Sequence, residues 1–214
     1  MVFSRAHGPR GLHTEKAMKA RTLTFSVGLA VALLALAAVP LLAQTTPKAP
    51  APVLITSCGQ SPGANSLNVL ARRAGVEYTL KEDATAKDLA TRKFTSLIIV
   101  TGASLKGMGA AGVSIEDELK RTEALIAEAR KQGMTVIGAH IEGMSRRAQG
   151  AAPGDNSDEM SIDAVCPKAN FMIVRKDGNE DNRFTAISKS RNIPLVLFEK
   201  NLEMVDILKA VFAK

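Results

Sequence analysis

The stretch LIIVTGASLKGMGAAGVSIEDELK, Leu97 to Lys120, decides the fold. It begins as an unbroken β-branched run, the pattern of a strand buried on both faces. It then passes through Gly102, Gly107, Gly109 and Gly112 and ends in a segment with a helix-start signature. Ser114, followed three residues later by Asp117, reads as a capping box, and Glu116, Asp117 and Glu118 place carboxylates at the positive end of that helix. Strand, glycine-rich connection and helix in that order make half of a βαβ unit.

Working outward, the same alternation recurs. PVLITS, MTVIGAH, NFMIVRK and IPLVLFEK are further short apolar runs, and VEYTL, Val76 to Leu80, is a weaker one. Helical periodicity covers Ser66 to Ala74, Ser114 to Gln132, Asp181 to Arg191 and Leu202 to Ala213. Repeated this way, the pattern predicts one α/β domain over residues 52–214. Its architecture is a three-layer, doubly wound, mainly parallel sheet of five to six strands with Rossmann- or flavodoxin-like topology. The one break in rhythm, Ile141 to Lys168, is long enough to carry a lid or a small helix, here expected after Asn156 or Ser157.

Residues 1–43 read as a signal peptide or an uncleaved anchor, with a compact start at Met18. Lys19 and Arg21 precede Thr22 to Ala43, which carry no charge, and small residues suit cleavage after Ala43 or Ala37. Residues 44–51 form a Pro/Ala/Thr tether. The domain is therefore expected to be exported, periplasmic or extracellular, with contact to the inner membrane only through an uncleaved N-terminal segment. The formal charge of +7 does not mark a nucleic-acid binder. Residues 1–43 hold five cations against Glu15, a net +4, which leaves +3 for the rest, and no basic run is interleaved with aromatics. Cys58 and Cys166 are expected near opposite edges of the sheet, beyond the roughly 7 Å a disulfide tolerates.

Gly107-Met-Gly109-Ala-Ala-Gly112 matches GxGxxG in letters only. Five residues separate it from its strand, that strand is the third, and the next acid, Glu142, comes about 30 residues on, where a ribose-binding acid is expected at about 20. Lys106 precedes the glycines, so this is no Walker A loop. The loop is expected to wall a site through Ser104, Lys106, Gly107 and Gly109. The better anion site is the connection after the first strand, TSCGQSPGANS, Thr56 to Ser66. There Ser61 is expected to cap a helix whose free amides lie beside Ser57 and Gln60. Arg146 and Arg147 suit a carboxylate or phosphate. His140, the sole histidine after residue 43, is a candidate general base with Glu142, two residues on and on the same strand face if the strand continues. Cys58, beside a helix start, is weighed as a thiol with lowered pKa. No pattern of metal ligands or cofactor motif is present, so no metal and no cofactor is expected.

LITSCGQSPGA, KGMGAAGVSIEDELKR, VIGAHIEG, FMIVRKDGN and IPLVLFEK together resemble an uncharacterised family of exported bacterial α/β proteins, a domain of unknown function. The resemblance implies a secreted single domain and no activity. Three functions stay open: a module binding a small anionic or polar molecule at the carboxyl edge of the sheet, a hydrolase or transferase using His140 and Glu142, and an envelope protein-interaction module. Oligomeric state is not legible.

Overall fold

Unbroken apolar character buries both faces of a strand, and the structure places such runs at the centre of the sheet: β1 (Val53–Cys58), β3 (Ser96–Thr101) and β4 (Thr135–His140). This computed structural model describes residues 1–2, 46–91, 93–148 and 154–213, and the leader or anchor expected over residues 1–43 lies outside them. The remaining strands are β2 (Tyr78–Leu80), β5 (Phe171–Arg175) and β6 (Leu195–Phe198). All pairings are parallel and the order is β2-β1-β3-β4-β5-β6. The weak run VEYTL becomes the short, half-buried edge strand β2.

Helices cover both faces. α1 (Gly63–Ala74) and α7 (Glu203–Val211) set Leu67, Leu70, Met204 and Leu208 against Val53, Ile55, Ile98 and Ile137. On the other face α2 (Ala86–Thr91), α4 (Ile115–Lys131) and α5 (Ser157–Val165) bring Leu89, Leu125, Ile126 and Val165 onto Leu54, Leu97, Ile99 and Val136. α6 (Arg183–Arg191) adds Phe184 to a third cluster with Ile162 and Met172. Each fully buried aliphatic side chain contributes roughly 1.5–3 kcal/mol. Thr46–Lys214 is thus a compact unit with its own core on each side of its sheet. Among the described residues no helix is long and apolar enough to cross a membrane.

Three expectations are corrected. The glycine-rich stretch is not an open loop: Leu105–Ala111 is a short helix, α3, that places Gly107 and Gly109 inside it. Ser104 caps it by accepting from the Gly107 amide, and Gly112 closes it in the left-handed conformation. Hydrogen bonding by a serine at the right offset outweighs the low helix propensity of two glycines. The cysteines are not on distant elements either. The long connection carries α5, as expected after Asn156, but α5 folds back across the sheet, and the Ser161 hydroxyl donates to the Cys58 carbonyl at 2.7 Å. Both cysteines are buried and free. Finally, burial pushes the Cys58 thiol up, the opposite of the lowered pKa a reactive thiolate requires.

Candidate functional site

Sequence order reverses between β1 and β3, so the crevice outside their carboxyl ends is the place where an open α/β sheet holds a ligand. In this molecule the crevice is drawn shut. Gln60 and Ala103 form an isolated antiparallel bridge, and the Ser104 amide donates to the Gly59 carbonyl at 2.8 Å. The backbones approach so closely that a Cβ on Gly59 would lie 2.7 Å from the Ala103 Cα, and one on Gly107 would run into the Gln60 carbonyl. Gln60, Arg146 and the first turn of α3 are therefore neighbours: Arg146 donates from Nη1 to the Ala103 carbonyl at 3.1 Å. Lys106 extends from that turn into solvent, and Gly109 faces open space.

The amides of these loops are taken by the protein's own carboxylates. Glu118, buried at 1% exposure, accepts from the Gly59 amide at 2.8 Å and from Gln60 Nε2 at 3.0 Å. Arg121 pairs with it at 2.8 Å and also donates to the Ser57 and Ala84 carbonyls. The Ala103 amide donates to Asp158 at 2.6 Å, and burial raises the pKa of that carboxyl. At the start of α1, Glu142 accepts from the Gly63 amide at 3.0 Å and from Arg146 Nε at 3.2 Å. A Cβ on Gly63 would stand 2.7 Å from that Glu142 oxygen, so glycine is what admits the carboxylate. Ser61 does not cap the helix as expected: Pro62 occupies the cap position, and no side chain supplies a capping bond. A trans-proline has no N–H to orient, and its φ of −64° already suits the helix start. Instead the Ser61 hydroxyl is fully buried without a hydrogen-bond partner, as is that of Ser57.

His140 and Glu142 do not share a cleft. β4 ends at His140 and Glu142 has helical backbone angles, φ −92° and ψ −5°, so strand alternation stops there: the imidazole packs on Phe184, while the Glu142 carboxylate reaches the Gly63 amide of α1 on the other face. His140 is fully buried against Phe184, with ring centroids 5.0 Å apart. Its Nε2 lies 3.0 Å from the Gly143 carbonyl, which can only accept, so Nε2 carries the proton and Nδ1 accepts from the Thr101 hydroxyl at 3.1 Å. Burial lowers its pKa to about 4. Arg147 does not point at the Arg146 side of the loop. It is 3% exposed, binds Glu159 at 2.7 Å, Asp181 at 2.6 Å and the Gly178 carbonyl, and lies over the Phe184 ring. Burial works against its charge, but the Asp181 and Glu159 hydrogen bonds prevail and raise its pKa.

The carboxyl edge thus gathers Ser57, Gln60, Ser61, Ser104, Gly107, Glu142 and Arg146, and sets His140 and Arg147 apart on the other face. Sequence reasoning overlooked Glu118, Arg121, Asp158 and Ser161. Glu118 had a legible signal, since it falls on the helix face of Thr122, Leu125, Ile126 and Ala129, and an acid on a buried stripe calls for a partner. Asp158 and Ser161 had none, because only the fold brings α5 over β3. Cavities of about 270 Å³ beside Leu80 and Phe94 and about 290 Å³ between Lys176 and Glu199 lie away from Arg146. Among the described residues no group of three or more His, Cys, Asp and Glu is arranged to hold a metal ion.

Comparison with known proteins adds little chemistry. No curated protein matches. Among solved structures, the psychrotrophic esterase EstA from Pseudoalteromonas sp., in a structure inhibited by monoethylphosphonate, is similar at 12% identity and a TM-score of 0.32, over 73% of this chain and 91% of that one. TesA is similar at 13% identity and a TM-score of 0.32, over 67% and 77%. Likeness that slight carries no argument about activity. The family model described as "Domain of unknown function (DUF6305)" matches residues 50–212, nearly the whole of the α/β unit, and the chain belongs to that family.

Proposed function

We propose that this domain binds a small anion, a carboxylate or a phosphate group, at the N-terminus of α1, and that the anion enters by displacing the Glu142 side chain. The supporting observation is the pair of buried hydroxyls, Ser57 and Ser61, left without partners beside a helix start whose first amide is held by the protein's own carboxylate. A buried polar group without a partner costs about 1–3 kcal/mol and is rare in folded proteins. A ligand oxygen in Glu142's place inherits the Gly63 amide and the Arg146 guanidinium, and gains the remaining first-turn amides of Ala64 and Asn65. Glu142 and Arg146 keep 15% and 25% of their side-chain surface exposed, so their pair opens to solvent without disturbing the core. Asp158 and Glu118, by contrast, are sealed in.

Acid–base catalysis by His140 and Glu142 has geometry against it: both imidazole nitrogens are engaged inside the protein, and the two groups face different sides of the sheet. An interaction module has only scattered exposed apolar side chains in its favour, Leu105 and Leu202 at this edge, which is ordinary for any surface.

Anion titration of the domain from Thr46, read by dye-based thermal shift and calorimetry, tests the reading with inorganic phosphate, sulfate and short carboxylates. Glu142→Gln, which removes the competing charge, is expected to tighten binding about tenfold, equivalent to about 1.4 kcal/mol. Arg146→Ala is expected to abolish it, and Ser61→Ala to weaken it while leaving the free domain at least as stable, because an unpartnered buried hydroxyl is removed. If Glu142→Gln binds no anion any better than the wild type, the helix start is simply capped by Glu142 and the reading fails.

A further inference from the structure

All six strands run one way, so the helices end at the edge of the sheet where the strands begin, and the arginines divide sharply between the two edges. At the carboxyl edge Arg121, Arg146, Arg147, Arg175 and Arg183 are each ion-paired. At the amino edge Arg72 and Arg73 end α1, Arg130 ends α4 and Arg191 ends α6, all exposed. None of the four has a carboxylate within 4.0 Å among the described residues, and the same holds for Lys48 and Lys93. Helix dipoles favour cations in a last turn, which accounts for the four arginines. It does not account for Lys48 and Lys93, which lie in connections ahead of strands. Against these six stands the exposed Glu77, while Glu128, Glu123 and Asp206 are engaged by Lys131, Lys168 and Lys209.

The chain enters the domain at this same edge. The Ala49 amide donates to the Val211 carbonyl at 3.0 Å and Lys48 Nζ to the Ala210 carbonyl at 2.6 Å, so the tether is fastened to the end of α7. Only Gln44 and Thr45 separate Thr46 from Ala43, the last residue of the apolar Val27 to Ala43 run. Four residues, 44–47, span at most about 14 Å.

We propose that the amino edge is the membrane-facing surface of the domain and rests on anionic phospholipid headgroups. Six cations without local counter-ions fit a negative surface, each strengthening adsorption about fivefold, and a tether this short delivers the edge to the bilayer that an apolar Val27–Ala43 segment would enter. The anion site at α1 then faces away from the lipid, at the opposite edge of the sheet. The proposal does not rest on that site.

The test uses the unit from Thr46, which carries its own core, so that insertion of the preceding segment cannot mimic adsorption. Co-sedimentation is measured at low salt with vesicles of phosphatidylcholine alone and with a third of phosphatidylglycerol. Retention on the anionic vesicles alone, lost in roughly half-molar salt, is expected. The triple variant Arg72→Glu, Arg73→Glu, Lys93→Glu is expected to reduce retention about a hundredfold, and Lys200→Glu at the other edge to leave it unchanged. These three side chains make no hydrogen bond among the described residues, and circular dichroism melting checks that the variant folds. Equal retention on both vesicle types, or an undiminished triple variant, overturns the proposal. So does competition by duplex DNA that is as effective as anionic vesicles, because the edge would then be a general polyanion surface.

Discussion

At the scale of single residues, histidine at a strand end beside an acid is an ambiguous sign, and His140 shows what resolves it. Its pKa is held down to about 4, first by burial, then by the charge of Arg147, against the opposing pull of the Gly143 carbonyl, Glu142 and Glu159. The unfolded chain takes up this proton near pH 6.5, the folded chain only near pH 4. Between those values the unfolded state binds more protons, so stability is lost as pH falls through the window, by about 2 kcal/mol from pH 7 to pH 5. Urea midpoints at pH 7, 6 and 5 are expected to fall in the wild type and to run flat in His140→Gln over the same range. A wild-type midpoint that holds steady down to pH 5 would mean that His140 is reached by solvent, and would reopen its use as a base. Nothing in the local sequence distinguishes these outcomes, because the Phe184 ring and the Gly178 backbone that bury the imidazole come from beyond residue 170.

At the scale of elements, the GxGxxG string separates into glycines with unlike duties once it is a helix. Gly107 abuts the Gln60 carbonyl, whereas Gly109, in the same helix, meets nothing within 4 Å. Gly107→Ala is expected to destabilise by about 2–3 kcal/mol through forced separation of the β1 and β3 loops. Gly109→Ala is expected to stabilise by about 0.5–1 kcal/mol by removing the entropy penalty of glycine in a helix. Chemical denaturation of the two single variants measures both, and equal effects would show that the close approach of α3 to Gln60 is not what the motif provides. Helix α4 was legible from Ser114 and Asp117 because a capping box is a local hydrogen-bond pattern, and both of its bonds form. The inward turn of Glu118 was missed because the three acids of that first turn look alike in sequence, and only the phase of the buried stripe sets one apart.

At the scale of the whole molecule, the long connection is braced by a buried cation as well as by the Asp158 and Ser161 bonds of α5. Arg147 joins the loop after β4 to α5 through Glu159 and to the β5–α6 connection through Asp181 and the Gly178 carbonyl. Burial works to raise the pKa of Glu159, yet Arg147 and the Ala148 amide keep it low, and Asp181 is held low chiefly by Arg147. Arg147→Ala leaves Glu159 with Arg183 and the Ala148 amide and Asp181 partly in solvent, and is expected to cost about 1–3 kcal/mol through the lost hydrogen bonds and packing. Arg147→Lys is expected to recover little, since a single ammonium cannot serve both carboxylates and a carbonyl in the guanidinium's plane. Thermal and urea unfolding of the pair is decisive, and full recovery by lysine would reduce the brace to plain charge attraction. The sequence by itself determined the α/β class, five of the six strands through their β-branched runs, a helix starting after Asn156 or Ser157, and the edge of the sheet at which the loops gather. These rest on period, capping and strand composition, which are properties of neighbours along the chain. Only the tertiary structure decided that the loop amides are filled by Glu118, Glu142 and Asp158, that His140 and Arg147 lie on the far face from Glu142, and that, among the described residues, the arginines have carboxylate partners at one edge and none at the other. Those outcomes depend on which residues from distant segments reach the same few ångströms, and no local pattern encodes that distance.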